Sequence, residues 1–248
     1  VVAAVGSAII SEQGDLIGRS VVVSAGPTYE DVDSVRFVGN RSSGRMGLSL
    51  AAEAVSRGAR VVVVLGPCHL APPAGVEVVR VRSADEMRVG VLHHAQEADA
   101  VIMAAAVADY CVEGGPQKMK LAKSEARLTL TLTRSADILA ELGQRRGGQG
   151  HPVLIGFAAE TQDLVPRARE KLRMKEVDLV VANDVSRVDA GFEVETNAAT
   201  LIDHNSATEV PLCSKRDLAR VILDRVELLL SQRSPLTQIQ SVDSNDPS

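Results

Sequence analysis

Along most of the chain, short runs of Val, Leu, Ile and Ala alternate with longer stretches whose apolar residues recur every three or four positions. The runs "SVVVSAG" (20–26), "RVVVVLGP" (60–67), "VEVVRV" (76–81), "PVLIGFAAE" (152–160) and "VDLVVAND" (177–184) read as buried strands, and "ADAVIMAAAVADY" (98–110) as a strand running into a loop. Helical patterns lie between them. One covers 43–58, one opens at "SADE" with Ser83 and Glu86 at capping-box spacing, one is "SADILAELGQRR", and a charged one covers 162–176. "LTLTLT" (128–133) alternates strictly, as a half-exposed strand does. After Asp184 the pattern changes: "FEVETNAATLIDHNSATEVPL" reads as a β-hairpin turning near Asn205. A last helix follows over 214–231, with Leu218, Val221, Ile222, Val226 and Leu229 on one stripe.

Repeated βα units imply a parallel sheet with helices on both faces. The expected fold is α/β, a Rossmann-like doubly wound, mostly parallel sheet with a small antiparallel β-hairpin appendage near the C-terminus. Residues 1–19 read as a lead-in or linker, 20–231 as one domain, and 232–248 as a polar, Ser-rich tail expected to be disordered. Ligands of such sheets bind at the carboxyl ends of strands. That singles out loops 25–47, 104–125, 134–139, 157–163 and 182–191.

Composition narrows the chemistry. The 248 residues are 45% apolar but only 2% aromatic, so the core is aliphatic and stacking platforms for nucleic acid are not expected. A net charge of −5 gives no general attraction to nucleic acid or to an anionic membrane, so any anion must be held by a local site. Cys68, Cys111 and Cys213 are widely spaced, without a CxxC, and His93 and His94 are adjacent rather than at metal-ligand spacing. No apolar run is long enough for a membrane span. The expectation is a soluble, cytoplasmic protein without a disulfide framework or zinc site. The chain begins at Val1 rather than Met, as a piece of a longer protein would.

"GNRSSGRMG", Gly39 to Gly47, precedes the helix pattern of 43–58. A helix start offers unpaired N–H groups and the positive end of the dipole, small residues allow close approach, and Arg45 adds charge. That arrangement suits phosphate. Its plain alternative is that Ser42 or Ser43 only caps the helix. In "AAAVADY" (104–110) a run of Ala lets a ligand lie against backbone, with Asp109 as carboxylate, although Ala also suits ordinary packing. "GGPQKMKLAK" joins a glycine hinge to Lys118, Lys120 and Lys123, as a phosphate-closing flap or a solvated loop would. Lys171 and Lys175 stand at i and i+4, a like-charge pair costing about 0.2–0.5 kcal/mol that a bound anion would offset.

In this order, "SAGPTYEDVDSVRFVGNRSSGRMG", "AAAVADY", "PQKMK", "GFAAET" and "DLVVANDVS" resemble the signature blocks of bacterial phosphopantothenoylcysteine synthetase, the phosphopantothenate–cysteine ligase of coenzyme A synthesis. The resemblance spans about 20–230. It implies a reaction in which CTP activates the carboxylate of 4′-phosphopantothenate as an acyl-cytidylate, pyrophosphate leaves, and the amine of cysteine displaces CMP. It also implies Mg2+ and a homodimer, with the hairpin at 192–212 a candidate for exchange. In many bacteria the domain is fused behind a flavin-dependent decarboxylase, which would account for a chain starting at Val1; a free-standing form is the alternative.

The same resemblance assigns roles. Met103, Ala104 and Ala105 would wall the nucleotide, Asp109 would orient the metal, and Lys118 would close over the triphosphate. Ala136, Asp137, Ile138 and Leu139 would hold the nucleotide with Phe157, Lys171 and Lys175. Asn40 would meet the acyl-cytidylate, with Arg36 near it, and these two and Lys118 are the catalytic candidates. Ser42, Ser43, Gly44, Arg45, Gly47 and Ala106 would receive phosphate or substrate, and the residues leave open whether the seat takes the nucleotide's phosphates or the substrate's own. Tyr29, Arg41, Arg45, Leu121 and "SAD" depart from the common pattern, Leu121 interrupting the lysine flap. CTP rather than ATP follows from the resemblance alone. A nicotinamide oxidoreductase would need G-x-G-x-x-G after the first strand, where "SAGPTYED" stands. A non-catalytic phosphometabolite-binding module would need the anion seat but not Lys118, Asp109 and Lys171 together.

Overall fold

Strand β1 (Ser20–Ala25) shows in one segment how the molecule is layered. Val21 and Val23 belong to a core on one side of the sheet, and Val22 belongs to a second core on the other. A strand with both faces covered needs no polar alternation, which is why "SVVVSA" is buried throughout.

The computed structural model describes residues 16–121, 128–148, 150–160, 164–184 and 195–233. After β1 come β2 (Tyr29–Asp31), β3 (Phe37–Gly39), α1 (Arg45–Ser56), β4 (Arg60–Leu65), β5 (Val76–Arg80) and α2 (Ala84–Ala95). Then follow β6 (Ala100–Met103), β7 (Tyr110–Val112), β8 (Leu132–Arg134), α3 (Ile138–Arg146), β9 (Val153–Glu160) and α4 (Leu164–Met174). The chain ends in β10 (Leu179–Asp184), β11 (Thr196–Ile202), β12 (Ala207–Ser214) and α5 (Lys215–Arg233). Eight strands form one sheet in the order β12-β11-β10-β9-β6-β1-β4-β5. The six strands from β10 to β5 pair in parallel. Helices α1 and α5 cover one face, through Leu50, Leu218 and Ile222 among others; α2, α3 and α4 cover the other, through Met87, Leu142 and Leu172. The chain leaves β1 toward β4 and β5, then returns to β6 and proceeds outward the other way. The crevice between the carboxyl ends of β1 and β6 is therefore the topological switch point.

Charge clamps fix the helices. Arg57, which caps the C-terminus of α1, pairs with Glu53 on that helix and with Asp224 and Glu227 on α5. Arg146 and Arg233 converge on the buried carboxylate of Asp178, which also accepts the Leu154 N–H at 2.8 Å. Packing reaches Leu16 at one end, which is fully buried, and Arg233 at the other. The lead-in before Leu16 and the tail from 234 lie outside the described residues.

The structure refines several expectations. Within 98–110, read as a strand running into a loop, the strand ends at Met103, where the chain turns to lie across the end of β1. Of "LTLTLT" only Leu132 and Thr133 are in a strand, which continues to Arg134 and pairs with β7 in an exposed two-stranded unit off the main sheet. Strands β2 and β3 form a second small hairpin that periodicity did not reveal, being three residues each. The C-terminal hairpin is antiparallel as expected, and it joins the main sheet edge: β11 pairs with β10, Val180 opposite Ile202. Residues 192–194 of its expected span are outside the described residues.

Candidate active site

At the switch point, Gly44 begins α1 in the left-handed region (φ 76), with no side-chain cap on the helix among the described residues. Ser42 accepts the Gly44 N–H at 3.2 Å, and Ser43 accepts the Arg45 N–H at 3.5 Å. The two hydroxyls brace the loop at the helix start, and Ser43 holds the N–H of the first helical residue much as a cap does, with Gly44 in the N-cap position itself. A β-carbon at Gly44 would meet Cys68 Sγ at 3.3 Å, and one at Gly47 would lie 2.5 Å from the Ala25 β-carbon. Both glycines let the start of α1 sit directly on β1 and the loop after β4. Asn40 is exposed, and its Nδ2 donates to the Val107 carbonyl at 2.8 Å, joining this loop to the one after β6.

That second loop carries "MAAAVAD". Its backbone is committed to the end of β1: the Ala105 N–H bonds to Ser24 Oγ (3.1 Å), Ala106 to the Gly26 carbonyl (2.9 Å), and Ala108 to Thr28 Oγ1 (2.9 Å). The alanines therefore offer a ligand surface and close approach rather than a row of free N–H donors. The Asp109 carbonyl accepts the Ser135 N–H at 2.9 Å, which draws the loop before α3 to the same edge.

Asp137 caps α3, accepting the Ala140 N–H at 3.1 Å, and its other oxygen is 2.8 Å from Lys175 Nζ. Burial raises the Asp137 carboxyl, but Lys175, the Ala140 N–H and Lys171 outweigh it and hold the carboxyl below its ordinary value. Lys171 Nζ donates to the Phe157 carbonyl at 2.6 Å. The like charges on α4 are thus offset by protein groups, and both ammoniums are aimed into the cleft edge.

These pieces line one cleft of about 340 Å³. It brings together Asn40, Ser42, Ser43, Gly44, Arg45 and Gly47 from the first loop and Met103 to Ala106 and Asp109 from the second. Ala136 to Leu139, Phe157, Lys171 and Lys175 complete it as expected. Sequence reasoning missed Arg134, Asn183, Asn197 and Lys215, which also line it. Asn183 Oδ1 is buried without a hydrogen-bond partner among the described residues. Their one available signal is position: Asn183, Asn197 and Lys215 stand at the ends of β10, β11 and β12 on the ligand-binding edge.

Two candidates are not brought in. Arg36 lies at the foot of β3 and pairs with Asp33 at 2.9 Å, outside the cleft of its own chain. Lys118 is exposed on a segment pinned at both sides, Gln117 N–H to the Val32 carbonyl (3.0 Å) and Leu121 N–H to Asp33 Oδ2 (3.1 Å). It does not line the cleft either, and Lys123 lies outside the described residues. Among the described residues no group of three His, Cys, Asp or Glu could hold a metal. Of the cleft carboxylates, Asp137 is occupied by Lys175 and Asp109 is exposed. One open carboxylate fits a Mg2+ carried mainly by phosphates and water.

The family model described as "DNA/pantothenate metabolism flavoprotein C-terminal domain" matches residues 16–229. The chain is 44% identical over 222 residues to the coenzyme A biosynthesis bifunctional protein CoaBC of Bacillus subtilis (strain 168), covering 88% of this chain and 53% of that protein. It spans about half the length of the curated relatives it matches. A crystal structure of the C-terminal domain of CoaBC superposes with a TM-score of 0.75 at 38% identity, over 89% of this chain and 100% of that one. A Cab2 mutant in complex with phosphopantothenate-cysteine shares the fold, with a TM-score of 0.72 at 15% identity, over 88% of this chain and 89% of that one. No helix among the described residues is long and apolar enough to cross a membrane.

Proposed function

Given that the chain belongs to the family of DNA/pantothenate metabolism flavoprotein C-terminal domains, we propose that it is the phosphopantothenate–cysteine ligase of coenzyme A synthesis, using CTP and Mg2+. The observation that carries this reading is the cleft at the switch point. It gathers the loops from Asn40 to Gly47, Met103 to Asp109 and Ala136 to Leu139 with Phe157 and the α4 lysines.

In the first step, a carboxylate oxygen of 4′-phosphopantothenate bonds to the α-phosphorus of CTP, and the bond to the bridging oxygen breaks with pyrophosphate taking the electron pair. In the second, the amine of cysteine attacks the acyl carbon, CMP departs, and the amine gives up a proton. The start of α1, with Arg45, receives phosphate through the positive end of the helix dipole and the Arg45 charge. Ala104 and Ala105 form a flat wall against which the nucleotide lies, and Lys171 and Lys175 neutralise its charge from the other side. Asn40 stands where both loops meet, and the second hydrogen of its amide is the donor for the oxygen that gains charge at the acyl carbon. Asp109 would hold Mg2+, which supplies charge neutralisation on the phosphates. Lys118 stands outside the cleft, so its closing over the triphosphate requires the segment beyond Gly114 and Gly115, which adopt φ of 75 and 82 with nothing near a β-carbon, to swing in and release the Gln117 and Leu121 bonds.

The proposed setting is a cytoplasmic homodimer with a decarboxylase domain as fused partner, and with no role for nucleic acid or membrane. The deciding experiment is incubation with 4′-phosphopantothenate, CTP and Mg2+, with and without cysteine. Pyrophosphate and phosphopantothenoylcysteine are expected when all are present. No pyrophosphate in the complete mixture, from protein shown to be folded, would remove the reading.

A further inference from the structure

Lys215 is the first residue of α5, and it is only 4% exposed although it lines the cleft. Its N–H bonds to the Glu195 carbonyl at 3.0 Å, which fixes the start of α5 against the strand end that leads into β11. Arg45, the first residue of α1, lines the same cleft and reaches the exposed Glu195 carboxylate at 3.3 Å. Helices α1 and α5 pack side by side on one face of the sheet with their N-termini at one edge. Two helix starts and two cations therefore converge on this end, while Lys171 and Lys175 mark the opposite face, beside Phe157 and Asp137.

Burial and the charge of Arg45 together lower the Lys215 ammonium from its ordinary pKa. A multiply charged anion seated between the two side chains relieves the repulsion; an uncharged base or ribose does not. On the ligase reading above, the nucleoside monophosphate lies against Ala104, Phe157 and the α3 and α4 residues. What extends toward α1 and α5 is then the rest of the triphosphate. We propose that Lys215, paired with Arg45, binds the β- and γ-phosphates of the nucleotide and holds pyrophosphate as it departs. When the carboxylate oxygen bonds to the α-phosphorus and the bond to the bridging oxygen breaks, the electron pair and its charge pass to pyrophosphate at this seat. No proton moves in that step. The inference rests on the ligase reading but adds a residue and a leaving-group seat to it.

The test measures binding of CTP, CMP and pyrophosphate, with Mg2+, to the full chain and to Lys215→Met and Lys215→Gln. Loss of one charge-assisted contact should weaken CTP and pyrophosphate by about tenfold or more, with CMP unchanged because it lacks both phosphates. Equal weakening of CTP and CMP, or unaltered pyrophosphate binding, overturns the inference. Should both variants fail to fold, wild-type protein still decides: pyrophosphate but not CMP should protect Lys215 from acylation, read by mass spectrometry. Equal acylation with and without pyrophosphate counts against it. Wild-type protein that binds no CTP removes the ligase reading and this one together. Wild-type binding with unchanged discrimination in the variants removes this one alone.

Discussion

The Asn40 amide has two hydrogens, and the Val107 carbonyl accepts one of them at 2.8 Å. A purely structural Asn40 would staple two loops together, so its removal would shift the wall and weaken CTP. A donor to the developing oxyanion would instead affect only the attack on the acyl carbon. Asn40→Ala is expected to slow ligation by about a hundredfold or more with CTP affinity retained, the range for loss of one such donor. Equal losses in CTP affinity and ligation would make Asn40 a staple. At this scale the sequence was legible where chemistry demands a residue type. Small hydroxyls and glycines at a helix start, and a carboxylate after a strand, led to Ser42, Gly44 and Asp109, all of which line the cleft. It was misleading for Arg36, whose nearness to Asn40 in the chain did not show that the loop before β3 turns it onto Asp33. It was silent for Asn183, Asn197 and Lys215, which come from three strand ends and share no local motif.

Elements were legible where their pattern was long. The buried strands and the five helices follow from aliphatic runs and helical spacing, whereas β2, β3 and β7 are three residues each, too short to show a period. The β11–β12 hairpin was expected, with its turn near Asn205, and the turn explains its firmness. Asp203 accepts the N–H groups of Asn205 and Ser206, each at 2.7 Å, and the Ser206 hydroxyl at 2.8 Å. It also pairs with Arg225, so the hairpin is bolted to α5. Burial raises the carboxyl, but Arg225 and these donors prevail and hold it at about 2 rather than 3.8. A folded-state value below the unfolded one means that the stabilisation is complete above the unfolded value and disappears as pH falls from 3.8 toward about 2. The shift corresponds to about 2 kcal/mol. Asp203→Asn should therefore be less stable than wild type near neutrality, and denaturant unfolding should show that gap closing on acidification through this window. A gap independent of pH would mean that the turn owes its stability to packing and not to this charge.

For the whole molecule, the doubly wound sheet was legible because βα repetition leaves few topologies, and the switch point then located the cleft. Assembly was not legible. Of the 192–212 hairpin, expected as a segment for exchange, the described part pairs with β10 of the same chain through β11. Its outer edge, β12, carries Pro211 and a run of exposed residues, features that discourage further strand pairing. Exposed apolar side chains gather instead on the two small hairpins: Val35 (62% exposed) and Phe37 on the first, Tyr110 and Leu132 on the second. β2 lies against β7, so these hairpins form one layer, and Phe37 is already stacked on Tyr29 with centroids 3.9 Å apart. A second copy of the chain seated on this layer would form the proposed homodimer. Val35 and Leu132 suit a test because neither belongs to the two buried cores. Val35→Glu combined with Leu132→Glu places like charges on both sides of a two-fold contact, which is strongly unfavourable when desolvated. Sedimentation should show wild type as a dimer and the double variant as a monomer with unchanged circular dichroism. A variant that remains dimeric would move the interface elsewhere on the molecule, and a monomeric wild type would remove the homodimer from the proposal.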